Sequence, residues 1–339
     1  MMNQKHWVSP ALLGICHFFV DFVCAVALFG NTPAKLAGIC FLIYNGLAFA
    51  FQLPLGAVAD CFNLKRTASA LGCVLVAVGA LLPHPVALAA VIGLGNALFH
   101  VGGGREVLKE SGNKFAAVGR FVAPGALGIF FGPMLAQYSL AGRIGAAVLL
   151  LLSLSLCLAP KMRETTIDLT TDIPHRRKTI AAVCFFLTVL LRSYMGTTLS
   201  YGFGFWLSLA FTICVFCGKF FGGSFADRIG ALKFSAAVQP LGVVLFTLSI
   251  WLPLLALPAI FIFNTTMAIT AARLSQLFGK LKGTMFGLTT FALFLGVLPK
   301  LMGAASPFFN PWGLFLISFA SAALLIFGLW AVERKTKHD

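Results

Sequence analysis

A chain of 339 residues in which 59% are hydrophobic and only 10% are charged, with a mean hydropathy of +0.95, has too little polar surface for a soluble protein. We therefore expect an integral membrane protein. The formal net charge of +15 would suggest a nucleic-acid partner in a soluble chain, but in a membrane protein it can reflect topology.

Twelve apolar segments follow one another along the chain. A helix that crosses a bilayer needs roughly 20 residues, so twelve such helices leave room only for short links and for no soluble domain. The sequence predicts an all-α integral membrane protein with twelve transmembrane helices. The segments lie at 7–29, 36–58, 67–83, 86–104, 115–137, 142–159, 179–198, 202–224, 232–250, 252–270, 283–305 and 311–332.

Lysine and arginine collect in alternate links, as they do in cytoplasmic loops. With both termini in the cytoplasm, nineteen of the 25 basic residues fall on the cytoplasmic side. Topology therefore explains the positive charge, and no nucleic-acid partner is expected. We expect a monomeric, multi-pass protein of the cell membrane that has both termini in the cytoplasm and needs neither a cofactor nor a metal ion.

The chain repeats itself with an offset of about 168 residues. A tandem repeat of this length predicts two copies of one six-helix bundle, an arrangement found in transporters whose site lies between the halves. We expect halves at 1–159 and 179–339, joined by a charged cytoplasmic linker at 160–178. The matching positions include Cys16 and Cys184, Asn96 and Asn264, Arg105 and Arg273, Gly119 and Gly287, and Gly128 and Gly296.

One motif occurs in both halves, after the second and the eighth span. The first copy contains Gly56, Asp60, Lys65 and Arg66, and the second contains Asp227, Arg228 and Gly230. The motif resembles the signature of the major facilitator superfamily, although Cys61 and Asn63 stand where that family usually has Arg and Gly, and the resemblance covers essentially the whole chain. The resemblance implies the major facilitator fold, with two six-helix halves, and secondary transport.

The two aspartates of this motif stand at predicted cytoplasmic helix ends. A carboxylate there can bind the N-terminus of a neighbouring helix and a nearby basic side chain, which holds the halves together in one state. We expect Asp60 and Asp227 to gate transport, together with Gly56, Lys65, Arg66, Arg228, Arg105 and Arg273. The alternative is that both aspartates merely end a span.

The fifth span contains Gly119, Gly128, Gly132 and Pro133. This spacing resembles the antiporter signature that many exporters of the superfamily carry on that helix. Small residues four apart let helices approach closely, and a proline permits a bend. The pattern favours export, although a plain packing helix has similar spacing.

A narrower resemblance comes from His17-Phe-Phe-Val-Asp21 on the first helix and from Gly93-Leu-Gly95-Asn96-Ala-Leu-Phe-His100 on the fourth. Both are similar to elements of the fosmidomycin resistance branch, although Val101 stands where that branch has proline. The resemblance implies drug efflux.

Ionisable groups inside spans cost about 2.5 to 3.5 kcal/mol each on insertion scales, so each needs a partner or a function. Asp21 and His17 lie four residues apart on one helix face, and such a pair can exchange a proton near neutral pH. We expect Asp21, His17 and His100 to couple transport to protons. A structural pair that fixes helix packing is the alternative.

Four cations also fall within predicted spans, against the single clear intramembrane acid Asp21. A cavity with this positive excess would favour an anionic or phosphate-like substrate, which Arg can hold bidentately. The expected substrate-binding residues are Arg192, Lys300, Arg120, Asn96 and Asn264. For Arg120 and Lys219 the alternative is that they extend to the cytoplasmic interface from near their helix ends.

The sequence thus predicts a proton-coupled antiporter that exports a small organic, anionic compound by alternating access. An importer or exchanger of an organic anion on the same fold is the first alternative. A membrane-embedded enzyme that uses His17, Asp21 and His100 is the second, but no His-Glu-x-x-His or Gly-x-Ser-x-Gly element occurs. An ATP-driven pump is disfavoured because the chain lacks a phosphate-binding loop of the Gly-x-x-x-x-Gly-Lys-Ser/Thr type.

Overall fold

A computed structural model of the protein describes residues 8–64, 66–159 and 173–333, which form helices joined by short links and contain no strand. Eleven of these helical segments are long and apolar enough to cross a membrane. The prediction of an all-α integral membrane protein is therefore confirmed. Lys65 of the predicted gate, positions 160–172 of the predicted linker and the basic residues of both terminal segments lie outside the described ranges.

The N-terminal half forms six spans from eight helices. A π-helical turn at Gly46–Ala50 joins α2 and α3 into one span, and Pro124 separates α6 from α7 within the fifth. The third span, α4, has only 13 residues and is shorter than the predicted segment at 67–83. The helices are α1 (Val8–Asn31), α2 (Ala37–Asn45), α3 (Gln52–Cys61), α4 (Thr67–Gly79), α5 (Pro85–Ser111), α6 (Ala116–Val122), α7 (Gly125–Leu135) and α8 (Ser139–Leu158).

The C-terminal half forms six spans from seven helices, and its tenth span breaks at Thr266. The first helix of this half begins at His175, inside the predicted linker, so the basic residues Arg176, Arg177 and Lys178 form its first turn. The predicted division into two halves and a linker at 160–178 stays a prediction. The helices are α9 (His175–Thr198), α10 (Phe205–Ile229), α11 (Ala231–Leu248), α12 (Ala256–Thr265), α13 (Met267–Leu277), α14 (Lys282–Leu301) and α15 (Pro311–Glu333).

Small residues bring α1 and α7 together in the N-terminal half. A Cβ atom at Gly128 would meet the backbone of Phe18 and Phe22 on α1, and one at Gly132 would meet Ala25. Helices in a bilayer gain little from the hydrophobic effect and depend on such close packing. The glycines of the fifth span therefore position α1, which carries the candidate coupling residues.

Two pairs of helices join the halves, and glycines line both contacts. Where α3 crosses α14, a Cβ atom at Gly56 would meet the backbone of Gly283. Where α6 crosses α10, a Cβ atom at Gly119 would meet the backbone of Lys219. The repeat relates α3 to α10 and α6 to α14, so the two contacts are pseudo-symmetric copies of each other.

The predicted orientation can be tested with single cysteines at exposed link positions. We expect Tyr138→Cys, between α7 and α8, to react with a membrane-impermeant maleimide in intact cells, and Asn113→Cys, between α5 and α6, to react only after lysis. The exposed native residues Cys61 and Cys157 should first be replaced by serine. Labelling of Asn113→Cys but not Tyr138→Cys in intact cells would reverse the topology.

Candidate functional site

Three ionisable side chains of the N-terminal half meet in its interior. His17 and Asp21 lie one turn apart on α1, and His100 lies on α5; each is 6–7% exposed. The Nε2 atom of His17 lies 3.1 Å from Oδ2 of Asp21 and 2.8 Å from Nε2 of His100. The structure thus brings the three predicted coupling residues into one cluster, which we call the His–Asp–His cluster.

Backbone carbonyl groups fix the orientation of both imidazole rings. Nδ1 of His17 lies 2.8 Å from the carbonyl oxygen of Phe121, just before the helix break at Pro124. Nδ1 of His100 lies 2.9 Å from the carbonyl oxygen of Asn96. Because a carbonyl oxygen only accepts hydrogen bonds, both Nδ1 atoms must carry a hydrogen.

These tautomers leave three lone pairs facing one another. If both rings were neutral, neither Nε2 atom would carry a hydrogen. The two Nε2 lone pairs would then face each other and the carboxylate of Asp21. That arrangement is repulsive unless a cation lies among the three atoms. A single proton on Nε2 of His17 removes this repulsion, because the resulting N–H can donate a hydrogen bond to both His100 and Asp21.

An amide and two weaker polar groups complete the cluster. Asn96 on α5 donates from Nδ2 to Oδ1 of Asp21 at 3.0 Å and approaches the hydroxyl of Tyr44 at 3.2 Å. The same amide nitrogen lies 3.9 Å from Sγ of Cys24. Asn96, expected to bind substrate, therefore lies against the predicted coupling acid instead, because α1 and α5 pack side by side.

The sequence analysis did not predict Cys24, Tyr44 or Gly125 as members of this site. The spacing of seven residues places Cys24 on the same face of α1 as His17, and this spacing could have identified it. No sequence pattern pointed to Tyr44. Gly125 follows the break at Pro124, and a Cβ atom there would meet Nε2 of His17 and Oδ2 of Asp21. Only a residue without a side chain leaves room for the cluster at this point.

The His–Asp–His cluster also has the donor set of a transition-metal site. The three ligand atoms lie within 4.8 Å of one another. The second ring nitrogen of each histidine donates a hydrogen bond to a backbone carbonyl, as in most metal-bound histidines. The expectation that the protein needs no metal ion stays a prediction. The cluster can hold one cation, and its chemistry admits either a proton or a divalent metal.

The first predicted gating aspartate binds the other half of the molecule. The side chain of Asp60 is 4% exposed and accepts hydrogen bonds from the backbone N–H groups of Gly283 and Thr284 at 3.0 and 2.8 Å. Those groups begin α14, so the carboxylate sits at a helix N-terminus. Arg105 pairs with the same carboxylate at 2.9 Å and also donates to the carbonyl of Leu64 at 2.7 Å.

The second predicted gating aspartate makes the corresponding contact with a helix N-terminus. Asp227 is exposed and accepts from the N–H groups of Phe115 and Ala116, at the start of α6, at 2.8 and 3.1 Å. Arg273, the repeat equivalent of Arg105, instead pairs with Glu333 at 2.6 Å. The two predicted gating aspartates therefore each bind the N-terminus of a helix in the other half, but Asp60 pairs with Arg105, whereas the equivalent Arg273 pairs with Glu333.

The other predicted gating residues differ in burial. Arg66 is buried and donates from Nη1 to the carbonyl of Ala159 at 2.9 Å, within its own half. Arg228 is exposed at the end of α10. Gly56 lies in the contact between α3 and α14.

The four cations predicted inside spans do not form one site. Arg192 is buried on α9 and contacts Thr266, whereas Lys300 is exposed in the last turn of α14. Arg120 is half-buried on α6 beside apolar residues of α1. Lys219 is half-buried on α10, at the crossing with α6.

Asn264, expected to bind substrate, is half-buried on α12 and donates from Nδ2 to the carbonyl of Ile260 at 2.9 Å. This is a bond within its own helix. The repeat equivalents Asn96 and Asn264 thus have different partners. The antiporter-like residues of the fifth span lie against α1 and α10, with Pro133 inside α7.

The comparisons with known proteins found similar structures but no similar family model or curated sequence. No protein-family model matches the chain, and no curated protein sequence matches it. Among solved structures, a major facilitator superfamily transporter, FucP, in the outward conformation aligns with 98% of this chain and 100% of its own at 18% identity and a TM-score of 0.64. A variant of the fucose:proton symporter FucP from E. coli aligns over the same shares at 15% identity and a TM-score of 0.62.

A bacterial homologue of the iron transporter ferroportin, in an outward-facing state with soaked iron, aligns with 98% of both chains at 14% identity and a TM-score of 0.56. At these identities the likeness concerns the fold. The protein has the major facilitator fold, with two six-helix halves as the repeat predicts.

The role of Gly125 in shaping the cluster can be tested by Gly125→Ala. The added methyl group would press on His17 and Asp21, so we expect a loss of about 1–3 kcal/mol in stability, as for other overpacked sites. Gly196→Ala on α9 is the matched control, because a Cβ atom there meets nothing within 4 Å. Thermal unfolding of the purified variants measures both, and equal midpoints would remove the packing argument.

Proposed function

We propose that this protein is a secondary active transporter that exports a small organic compound in exchange for protons, by alternating access of its two halves. One observation carries the proposal: the His–Asp–His cluster is buried in the N-terminal half, and its two Nε2 atoms and carboxylate lie close enough together to share one proton. Ionisable groups inside membrane spans mark substrate and ion pathways, and chains of Asp, Glu and His form the proton relays of pumps and transporters.

The cluster can link proton binding to helix packing. His17 and Asp21 belong to α1, His100 to α5, and the carbonyl that orients His17 to the broken fifth span. When the shared proton leaves, the bare Nε2 atoms and the carboxylate repel one another, and α1 and α5 must separate or rotate to relieve the repulsion. Proton release thus favours a different packing of the N-terminal half.

The gating aspartates supply the second element of the mechanism. Asp60 and Asp227 each bind the first turn of a helix from the opposite half, at the end of the bundle that the charge distribution predicts to be cytoplasmic. Lys282 and Gln276 add hydrogen bonds between the halves at the same end, to the carbonyls of Leu108 and Gly112. These contacts hold one state, and transport requires that they break.

Export and drug resistance rest on the resemblance of the fifth span to the antiporter signature and of the first and fourth helices to the fosmidomycin resistance branch. A proton symporter among the structural neighbours supports the alternative of uptake on the same fold. A membrane-embedded enzyme remains the alternative outside transport. Gradient-dependent flux in proteoliposomes separates the three, because an enzyme moves no substrate and an importer runs in the opposite direction.

Coupling through the cluster can be tested by Asp21→Asn and His100→Gln. A thermal-shift screen of organic anions, phosphonates and cationic drugs against the purified protein would first provide a ligand, since binding stabilises the folded state. We expect both variants to lose pH-driven accumulation of that ligand in proteoliposomes while they still bind it. The matched control is His175→Gln, at the exposed start of α9.

Full pH-driven accumulation in Asp21→Asn would contradict the coupling role. If the cluster binds a metal ion as the coupling ion, a chelator would stop transport, and the purified wild type would contain a metal ion that His100→Gln lacks. That result would identify the coupling ion as a metal ion and not a proton.

The gate can be tested by Asp60→Asn, read out by a cysteine at buried Ser111 beside the contacts between the halves. Asn keeps the shape but removes the charge opposite Arg105, so we expect the closed state to lose about 1.5 kcal/mol or more, and labelling of Ser111→Cys by a soluble maleimide to rise about tenfold. Asp227→Asn should have a smaller effect, because Asp227 is exposed, whereas the side chain of Asp60 is buried and pairs with Arg105. Identical labelling with and without Asp60→Asn would remove Asp60 from the gate.

A further inference from the structure

The C-terminal half contains a buried cation with unused hydrogen-bond donors. Arg192 on α9 is 7% exposed, donates from Nη2 to the hydroxyl of Thr266, and has its guanidinium carbon 5.2 Å from the centroid of the Phe263 ring. Its Nε and Nη1 atoms have no hydrogen-bond partner in the part of the chain that the structure describes. A guanidinium has five N–H donors, one on Nε and two on each terminal nitrogen, so at least three are unused.

No described carboxylate lies beside Arg192. The acids of the C-terminal half within 173–333 are Asp227 and Glu333, and both lie at the predicted cytoplasmic helix ends. Each is occupied there, Asp227 by the start of α6 and Glu333 by Arg273. A buried guanidinium without a counter-ion is unfavourable, so its retention calls for an anion that binds from outside the chain.

The tenth span breaks at the point that Arg192 touches. Thr266 separates α12 from α13, which places the N-terminus of an 11-residue helix inside the bundle. The first N–H groups of such a helix have no acceptor within it, and the helix dipole favours an anion at that end. In the N-terminal half the equivalent helix, α5, runs unbroken from Pro85 to Ser111.

The repeat makes this site distinct from the His–Asp–His cluster. At the offset of 168, Arg192 corresponds to Cys24, while His17, Asp21 and His100 correspond to the apolar residues Phe185, Val189 and Ala268. The same pair of helices therefore needs a cation in the N-terminal half and an anion in the C-terminal half.

We propose that Arg192, the hydroxyl of Thr266 and the N-terminus of α13 bind the oxyanion group of the transported compound, a carboxylate or a phosphonate. A planar guanidinium pairs with either group through parallel hydrogen bonds, and stacking on Phe263 fixes its plane. That this oxyanion belongs to the substrate rests on the proposed transport function, whereas the binding site itself does not.

Thermal unfolding of the purified full chain with defined anions tests the site. The probes are benzoate and methylphosphonate, with inorganic phosphate as the small anion and tetraphenylphosphonium as the cation. We expect an oxyanion probe to raise the midpoint of the wild type by about 3 °C at about 100 times its Kd. Arg192→Lys, which keeps the charge but loses the planar fork, should bind at least about tenfold more weakly.

The variant Arg192→Met distinguishes an anion-binding role of Arg192 from a purely structural role. Removal of a buried charge that lacks a counter-ion should raise the midpoint without any anion and abolish the response to anions. Arg143→Gln on α8 is the control, since Arg143 is exposed and should leave the response unchanged.

The site is overturned if Arg192→Met keeps the wild-type response, or if the wild type responds to the cation and not to the oxyanions. A lower midpoint for Arg192→Met, with no anion response in the wild type, would make Arg192 a structural residue and would also overturn it. Anion binding that depends on Arg192 without flux would leave the site intact and refute transport, whereas flux that is independent of Arg192 would refute the site and leave transport intact.

Discussion

A chain that spans a bilayer must satisfy its buried polar groups internally, and this requirement governs every candidate site in the protein. His17 uses the carbonyl of Phe121, Asp60 uses the first turn of α14, and Arg105 uses Asp60. Each of these pairings joins separate helices, so the polar contacts also fix how the helices lie. Arg192 is a buried cation with several donors that have no partner among the described residues, and these unused donors are the reason to expect a ligand there.

A helix break lies beside each buried ionisable site, and each break leaves backbone groups without a partner inside the helix. Pro124 interrupts the fifth span beside the carbonyl that orients His17, and Thr266 interrupts the tenth span beside Arg192. A continuous helix would consume those backbone groups in its own hydrogen bonds. In both halves the irregular backbone is buried within the bundle, where protein groups replace the water that the hydrocarbon lacks.

The two halves share their packing but not their charges. Glycines at Gly56 and Gly119 allow the same close crossing of helices on both sides of the molecule, because backbone contact requires only the absence of a side chain. The charged groups differ: Asp60 pairs with Arg105, whereas the equivalent Arg273 pairs with Glu333. Two halves with the same packing and different charged groups are suited to bind two different species, one in each half, as the proposed coupled transport requires.

The sequence by itself determined the helical class, most span positions and the repeat, because hydropathy and spacing are local properties of the chain. It also identified His17, Asp21 and Arg192, since a charge within an apolar segment is visible without a structure. Only the tertiary structure decided that His100 and Asn96 join Asp21, that Lys300 lies exposed, and that Gly125 makes room for the cluster. These facts depend on which helices are neighbours and on how each is rotated, and a single sequence contains no direct record of contacts between residues far apart in the chain.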